Sequence, residues 1–456
     1  MDNASTARPD PRRTLLLFDF DWDSEGFARH AATHAFSRAG FDLFSFPSNL
    51  RLAGFSLESF VDGLARQAGR RGWQAVISHH EQFGALAAAL LAERMGWPGT
   101  APEAVLACQH KLHARQVLAE VCPEANVAFG PIDARYGGPI PDGLPYPLFA
   151  KPVKAAFSVL ARRVASHAEL HAHTRFGRGE RWVIERLVEP FERIARRRLP
   201  AAGSAHRLMW EAPAAAAQFN LDGYVWNGAA HAVGVVDSIM YPGTQAFMRF
   251  DYPSRLPAAV QARALDVAAR FLAAVGFRHG LFNMEFFHDA ASDRLTVIEF
   301  NPRLASQLAD LYRRVDGTDL YAMALALAHG EDPATAARLA PTAGAASSFV
   351  FRHFSSSTAA VMPDGRRRQQ FAAAYPDAFL LTFPKAGKSL ARDYKWLGSH
   401  RYAVMHLGGR DEHDLEQRCR AASALLGWPA PYAAPGLADS DMPWYAPQPA
   451  IAGANP

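Results

Sequence analysis

Cysteine is scarce in this chain. Three residues, Cys108, Cys122 and Cys419, are spread over 456 positions. They match no metal-ligand spacing and build no disulfide framework, so reduced thiols in a cytoplasmic protein are expected. No apolar run approaches the roughly 18 residues that a membrane span needs. The opening "MDNASTARPDPRR" lacks the apolar stretch of a secretory signal, and residues 1–13 read as a disordered leader. Charge of one sign is not in excess: 48 Lys and Arg face 44 Asp and Glu, a formal net charge of +4. That balance neither requires nor excludes a nucleic-acid partner, and the basic stretches at 193–198 and 365–368 support one only weakly. No Ser-His-Asp set and no convincing cysteine nucleophile is found.

What is present fits a soluble globular protein of two to four domains, with 49% hydrophobic and 20% charged residues. "TLLLFDF" (14–20) is an apolar run of buried-strand length. A helix is expected from Ser24 to Ala39, then strands at 41–46 and 73–79, then the alanine-rich helix "FGALAAALLAERMG". This alternation predicts a doubly wound α/β domain over 14–108. A helix begins near His110. Strand signals at 146–153 and 181–189 outline a small α+β lobe at about 112–190, and 191–217 reads as an irregular excursion. "AQFNLDGYVW" and "AAHAVGVVDSIM" flank Asn227-Gly228, a strong hairpin signal. A helix over 257–275 precedes the next strands, and another covers 319–330. The strand-like "SFVFRHF", "AFLLTF" and "RYAVMHLGG" make a C-terminal α+β module over 331–456.

The informative stretch is "FNMEFFHDAASDRLTVIEFNPRLASQ" (282–307). Its two apolar runs flank turn-forming Asp and Ser residues, which predicts an antiparallel hairpin. Glu285 and Glu299 then come close, and Asn301 shares a face with Glu299. Carboxylates among apolar strand residues cost several kcal/mol unless something compensates them. Two carboxylates and a carboxamide are hard oxygen donors of the kind Mg²⁺ takes; the bland alternative is a pair of salt-bridged glutamates at a sheet edge. Arg303 adds a fixed cation able to grip a phosphate or carboxylate bidentately.

Cations lie upstream. Lys151 sits among apolar strand neighbours in "FAKPVKAAFS", with Lys154 and Ser158 in the loop behind it, and Lys111 stands in the preceding helix. A single lysine is usually a solvated surface charge, and Lys151 is the exception. "WVIERLVE" offers an edge strand whose backbone could recognise adenine, with Glu185 and Glu192 in reach of ribose hydroxyls. His79-His80-Glu81 ends the third strand. Adjacent strand residues point oppositely, so a shared metal is not expected there, and His80 or Glu81 is left to face the cleft. Asp19, Asp21 and Asp23 read as surface turn acids, and Arg193, Arg196, Arg197 and Arg198 as a solvated face or an anion-steering patch.

The order of these motifs resembles the ATP-grasp superfamily, carboxylate–amine ligase type, from about residue 14 to 330. The most specific element is a Glu followed by a strand ending in "IEFNPR". The resemblance implies a Rossmann-like first domain, a two-lobed ATP-grasp domain over 109–330, and ATP with Mg²⁺, for which Mn²⁺ could substitute. It implies Glu285, Glu299 and Asn301 as metal ligands. Lys111 and Lys151, joined by Lys154 and Ser158, would contact phosphates. Glu185, Arg186, Leu187 and Val188 would hold adenine, with Glu192 or Gln218 at the ribose. Arg303 and Lys151 would be catalytic. Three departures stand out: the loop after Lys151 has no glycine, a 27-residue excursion follows the hinge, and "LASQ" follows Arg303 where relatives have glycine.

The implied reaction joins a small-molecule carboxylate to an amine through an acyl phosphate, releasing ADP and phosphate. Amino-acid-like substrates are the economical expectation. Catalysis of this kind is positioning plus charge neutralisation. A bicarbonate-activating enzyme is the runner-up, disfavoured by the missing glycine loop and biotinyl "MKM" motif. An inactive nucleotide-binding module is the third reading. No membrane partner is expected, and a homodimer is left open.

Overall fold

The computed structural model describes residues 10–43, 48–134, 137–155, 160–214, 216–354, 360–385, 387, 390 and 398–431. The apolar run at the start forms β1 (Arg12–Leu17), with Leu15, Leu16 and Leu17 buried. It is the middle strand of a parallel sheet in the order β2-β1-β3, with β2 (His34–Ala39) and β3 (Ala75–Ile77). Helices α1 (Asp21–Ala28), α2 (Leu57–Arg71) and α3 (Gly84–Met95) connect and cover these strands. α2 starts where Ser56 accepts from the Ser59 N–H and stops at Gly72, φ 66°. The helix expected over 24–39 is shorter than read. It ends at Ala28, and 34–39 is strand, because pairing beside β1 overrides the helical preference of its alanines. Of the strand expected at 41–46, residues 41–43 are irregular and the rest lies outside the described residues.

α4 (Pro102–Gln109) and α5 (Lys111–Val121) lead into a small antiparallel sheet. It contains β4 (Phe129–Ile132), β5 (Leu148–Pro152) and β6 (Arg162–Val164). After α6 (His167–Thr174) and α7 (Arg178–Arg198) comes β7 (Leu208–Glu211), and the order is β4-β7-β5-β6. The stretch read as a strand at 181–189 is the middle of α7, a 21-residue helix. Val188, Phe191, Ile194 and Ala195 follow the helical i, i+3, i+6, i+7 pattern and join the core of the first sheet with Leu15, Phe83 and Leu86. The apolar runs "WVI" and "LV" in "RWVIERLVE" were a local signal only. The excursion read over 191–217 is therefore the end of this helix followed by β7.

Among the described residues, the largest sheet has eight strands. β8 (Ala217–Trp226) and β9 (Ala229–Met240) meet at Asn227 (φ 51°) and Gly228 (φ 85°), the two positive φ values of a type I′ turn. Gly223 in β8 is required by space: a Cβ there would lie 2.4 Å from the His231 carbonyl oxygen. β10 (Phe247–Tyr252), α8 (Ala258–Ala274), β11 (Gly280–Asp289) and β12 (Arg294–Asn301) follow, then α9 (Ala309–Asp316) and α10 (Leu320–Ala328). β13 (Ala345–His353), α11 (Gly365–Ala374), β14 (Phe379–Thr382), β15 (His400–Gly409) and α12 (Glu412–Leu426) complete the described chain. The strand order is β12-β11-β8-β9-β10-β13-β15-β14, so the C-terminal strands extend the same sheet. One face is closed by α8, where Phe271 stacks on Phe300 at 3.8 Å among Phe219, Leu221 and Phe286. Each such burial is worth about 1.5–3 kcal/mol. Side chains alternate along β8, so Gln218, Asn220 and Asp222 point to the opposite face. Among the described residues, no helix is long and apolar enough to cross a membrane.

Candidate active site

Glu285 and Glu299 are direct cross-strand partners in β11 and β12, with a bulge immediately after Glu285. The bulge re-aims the strand where the acids stand. Burial, then the charge of Glu299, pushes Glu285 well above the usual carboxylate range. Gln218 donates to Glu285 Oε2 at 2.9 Å. Asn301 donates to Asn283 Oδ1 at 3.2 Å, and Asn283 donates to Asn220 and Asp222, both at 3.1 Å. This amide ladder carries the site across three strands. Its end, Asp222, is pushed up to about 6 by burial and accepts from the Tyr312 hydroxyl at 2.7 Å.

Cations from the small sheet face these acids. The chain has only six lysines among its 48 basic residues, and three of them (Lys111, Lys151 and Lys154) are here. Lys111 Nζ lies 3.1 Å from Glu299 Oε2 and donates to the Ala155 carbonyl at 2.9 Å. Lys151, in β5, is buried and sits 2.6 Å from Glu211 Oε1. Glu211 ends β7 and also takes Arg115 Nε at 2.7 Å, while Arg115 reaches the Ile298 carbonyl beside Glu299. Burial opposes ionisation of Glu211, but Arg115 and Lys151 outweigh it and hold the carboxyl at about 2. Lys154 is fully buried over the Phe191 ring, and burial lowers it to about 7. Arg303 donates to Glu81 at 2.8 Å and to Asn301 at 3.3 Å, and its Nε is buried without a hydrogen-bond partner among the described residues.

Several expected residues sit elsewhere. Glu185, Arg186, Leu187 and Val188 lie within α7, where Val188 is core, Glu185 is exposed and the Leu187 carbonyl takes Gln82. A helix spends its backbone groups on its own ladder, so the edge-strand argument for adenine loses its basis. Glu192 is 1% exposed and accepts from Arg196, Ser204 and the Ala205 N–H, closing the turn after α7. Ser158 lies outside the described residues. Asp23, read as a surface acid, is instead buried and bound to His79 at 2.9 Å and Ser306 at 2.7 Å. The arginines of α7 pair with acids: Arg193 with Glu189, Arg196 with Glu192, Arg197 with Glu58, and Arg198 with Glu93 and Glu103. Glu211, Arg115, Gln109 and Asn283 were missed. The scarcity of lysine in an arginine-rich chain was a readable signal for Lys154. Nothing local marked Glu211.

Among the described residues, no group of three or more His, Cys, Asp or Glu is arranged to hold a metal ion. Two carboxylates with a carboxamide make a different donor set. Mg²⁺ accepts such a set when water and phosphate supply the remaining oxygens.

No protein-family model matches the chain. It is similar to carnosine synthase 1 of Gallus gallus, with 30% identity over 56% of this chain and 27% of that protein. The chain thus spans about a quarter of the length of that relative. Among solved structures, the L-amino acid ligase of Bacillus licheniformis superposes with TM-score 0.64 at 14% identity, covering 91% of this chain and 97% of the other. N5-carboxyaminoimidazole ribonucleotide synthetase of Thermus thermophilus gives 0.58 at 15%, covering 91% and 98%. Biotin carboxylase of Campylobacter jejuni gives 0.56 at 14%, covering 91% of each chain. These likenesses show that the chain shares the fold of these three solved structures.

Proposed function

We propose that the chain is an ATP-dependent carboxylate–amine ligase acting on amino-acid-like small molecules. The observation that carries this reading is the pairing of Glu285 with Glu299 beside Lys111, with the charges of Arg303 and Lys154 acting on the pair. Burial beside the Glu299 charge opposes ionisation of Glu285, a cost that a bound cation would offset, and the donor set suits Mg²⁺, with Mn²⁺ as a substitute. In this reading Glu285, Glu299 and Asn301 hold Mg²⁺, which when bound neutralises phosphate charge. Lys111, Lys151 and Lys154 take the phosphates. The link from β7 to β8, at Ala212 and Pro213, replaces 185–188 as the adenine hinge, because it joins the two sheets. Gln218 is left as the ribose candidate, although it donates to Glu285 in this structure.

The substrate carboxylate attacks the γ-phosphorus of ATP, and ADP leaves. The acyl phosphate so formed is attacked by the amine nitrogen. The C–O bond to phosphate breaks, and the amine loses its proton as the amide forms. Arg303, with its unpartnered Nε, stabilises the transferring phosphoryl group and then the leaving phosphate. Carnosine synthase and L-amino acid ligase are names of peptide-forming enzymes, which favours amino acids as both substrates.

The test is an ADP-release screen over a matrix of acids and amines, with bicarbonate among the acids and mass spectrometry of the products. Oxygen-18 in the acid carboxylate should appear in released phosphate. AMP and pyrophosphate as products would reject the mechanism.

A further inference from the structure

Glu81 is a carboxylate that the reaction above does not use. It stands just beyond β3, at the carboxyl end of the first parallel sheet, and only 6% of it is exposed. Its surroundings are cationic. Arg303 Nη2 lies 2.8 Å from Oε2, and Lys111 and Lys154 add their charges. Its carbonyl is also held, by Gln109 Nε2 at 2.8 Å and Lys154 Nζ at 3.2 Å, and Lys154 donates to Gln109 Oε1 at 3.1 Å. The three residues thus close a ring of hydrogen bonds. Glu81 is therefore fixed at both its backbone and its side chain.

The consequence falls on Arg303. Its Nη1 donates to the Leu304 carbonyl at 3.1 Å, and its Nη2 is divided between Glu81 and Asn301. Among the described residues, Nε is the remaining buried donor without a partner. A guanidinium is planar, so fixing Nη1 and Nη2 sets the direction of Nε. Without Glu81, the guanidinium keeps the Leu304 carbonyl at Nη1 and a 3.3 Å contact to Asn301 at Nη2, and loses its charged partner. Glu299 is taken by Lys111, and Glu211 by Lys151 and Arg115; Glu285 and Asp222 feel the Arg303 charge but accept from Gln218 and from Asn283 and Tyr312 instead.

We propose that Glu81 is the positioning residue for Arg303, supplied by the first parallel-sheet unit to a site otherwise built on the other two sheets. This inference rests on the ligase reading. It adds that the acyl-phosphate step depends on a carboxylate outside the nucleotide-binding lobes. A carboxylate that holds a guanidinium in place leaves a hole of its own size when removed, and a small free carboxylate can fill it.

The experiment compares wild type, Glu81→Gln and Glu81→Ala with an acid and amine that wild type joins, reading amide product by mass spectrometry. Wild type without ADP release on any acid would reject the ligase reading and is recognised before any variant is made. With an active wild type, Glu81→Ala should lower kcat at least 30-fold while KM for ATP stays within threefold. Formate should then restore kcat at least fivefold in Glu81→Ala and leave wild type unchanged. Glu81→Gln, which keeps shape and hydrogen-bonding capacity, should melt within a few degrees of wild type and show an intermediate kcat. Unchanged kcat in Glu81→Ala, or a loss that formate does not relieve in a normally melting variant, would overturn the assignment.

Discussion

Lys111 and Glu299 meet at 3.1 Å, joining the first residue of α5 to the strand β12 two residues before its end. The ammonium thereby partly offsets the charge that Glu299 adds beside Glu285. Burial lowers Lys111, but Glu299 and then Glu81 outweigh that effect and raise it above its ordinary range.

Glu299→Gln should separate folding from chemistry. The substitution removes repulsion with Glu285 but costs Lys111 its partner, two effects of opposite sign on stability. The melting temperature without ligand should stay near that of wild type. ADP formation should fall by two orders of magnitude or more, roughly 3 kcal/mol of barrier. Activity retained at ordinary Mg²⁺ would remove Glu299 from the metal set.

Glu211→Gln should act on stability. It leaves Arg115 and Lys151 buried without their shared carboxylate, a change of about 3–5 kcal/mol. The pH dependence has a definite sign. Glu211 titrates at about 2 in the folded chain against an ordinary 4.5, so its stabilisation is present above pH 4.5. It is lost as pH falls from there towards 2. Chemical denaturation at pH 7 and at pH 3.5 should show the gap between wild type and variant narrowing in acid. A constant gap would contradict the ionised Arg115–Glu211–Lys151 cluster.

Arg197→Gln with Arg198→Gln tests what the α7 arginines do. Their partners Glu58, Glu93 and Glu103 lie on α2, α3 and α4, so the pairs fasten the helix to the first unit. Exposed pairs are worth about 0.2–1 kcal/mol each and are screened over about 8 Å at physiological ionic strength. The double variant should lose stability modestly at low salt and less at high salt, with KM for ATP and both substrates unchanged. A KM that rises at low salt would restore a steering role.

Gly223→Ala places a methyl group 2.4 Å from the His231 carbonyl and 2.5 Å from the Phe282 ring. Overpacking of that kind costs about 1–3 kcal/mol. Urea denaturation should give a lower midpoint at unchanged slope. A neutral result would mean that the β8–β9 pair can widen at this point.

The Glu285–Glu299 hairpin was legible because its turn residues and apolar runs are local, and pairing follows from the turn. The Asn227-Gly228 hairpin was legible for the same reason. α7 was not, because the short apolar runs Trp182–Ile184 and Leu187–Val188 read as a strand, while the helical spacing of Val188, Phe191, Ile194 and Ala195 extends past 189. The helix carries Pro190 in its interior, and Gln82 donates to the nearby Leu187 carbonyl. Glu211 was beyond local signals, and of Glu81 only its place facing the cleft was legible. Their importance comes from Arg303, Lys151 and Arg115, distant in sequence and adjacent only once three sheets are assembled.

β10 pairs with β13 from Arg249–Phe349 to Tyr252–Ala346, so the strands that follow residue 344 are hydrogen-bonded into the sheet that carries the acids. A chain shortened at 330 would not lose an accessory. It would uncover the backbone of β10 along an inner strand, and bare strand edges recruit other chains. Grafting the C-terminal stretch of a related ligase onto this one would have to preserve that ladder residue by residue. Recombination between such enzymes should therefore succeed at the loops bounding the whole sheet and fail between its strands.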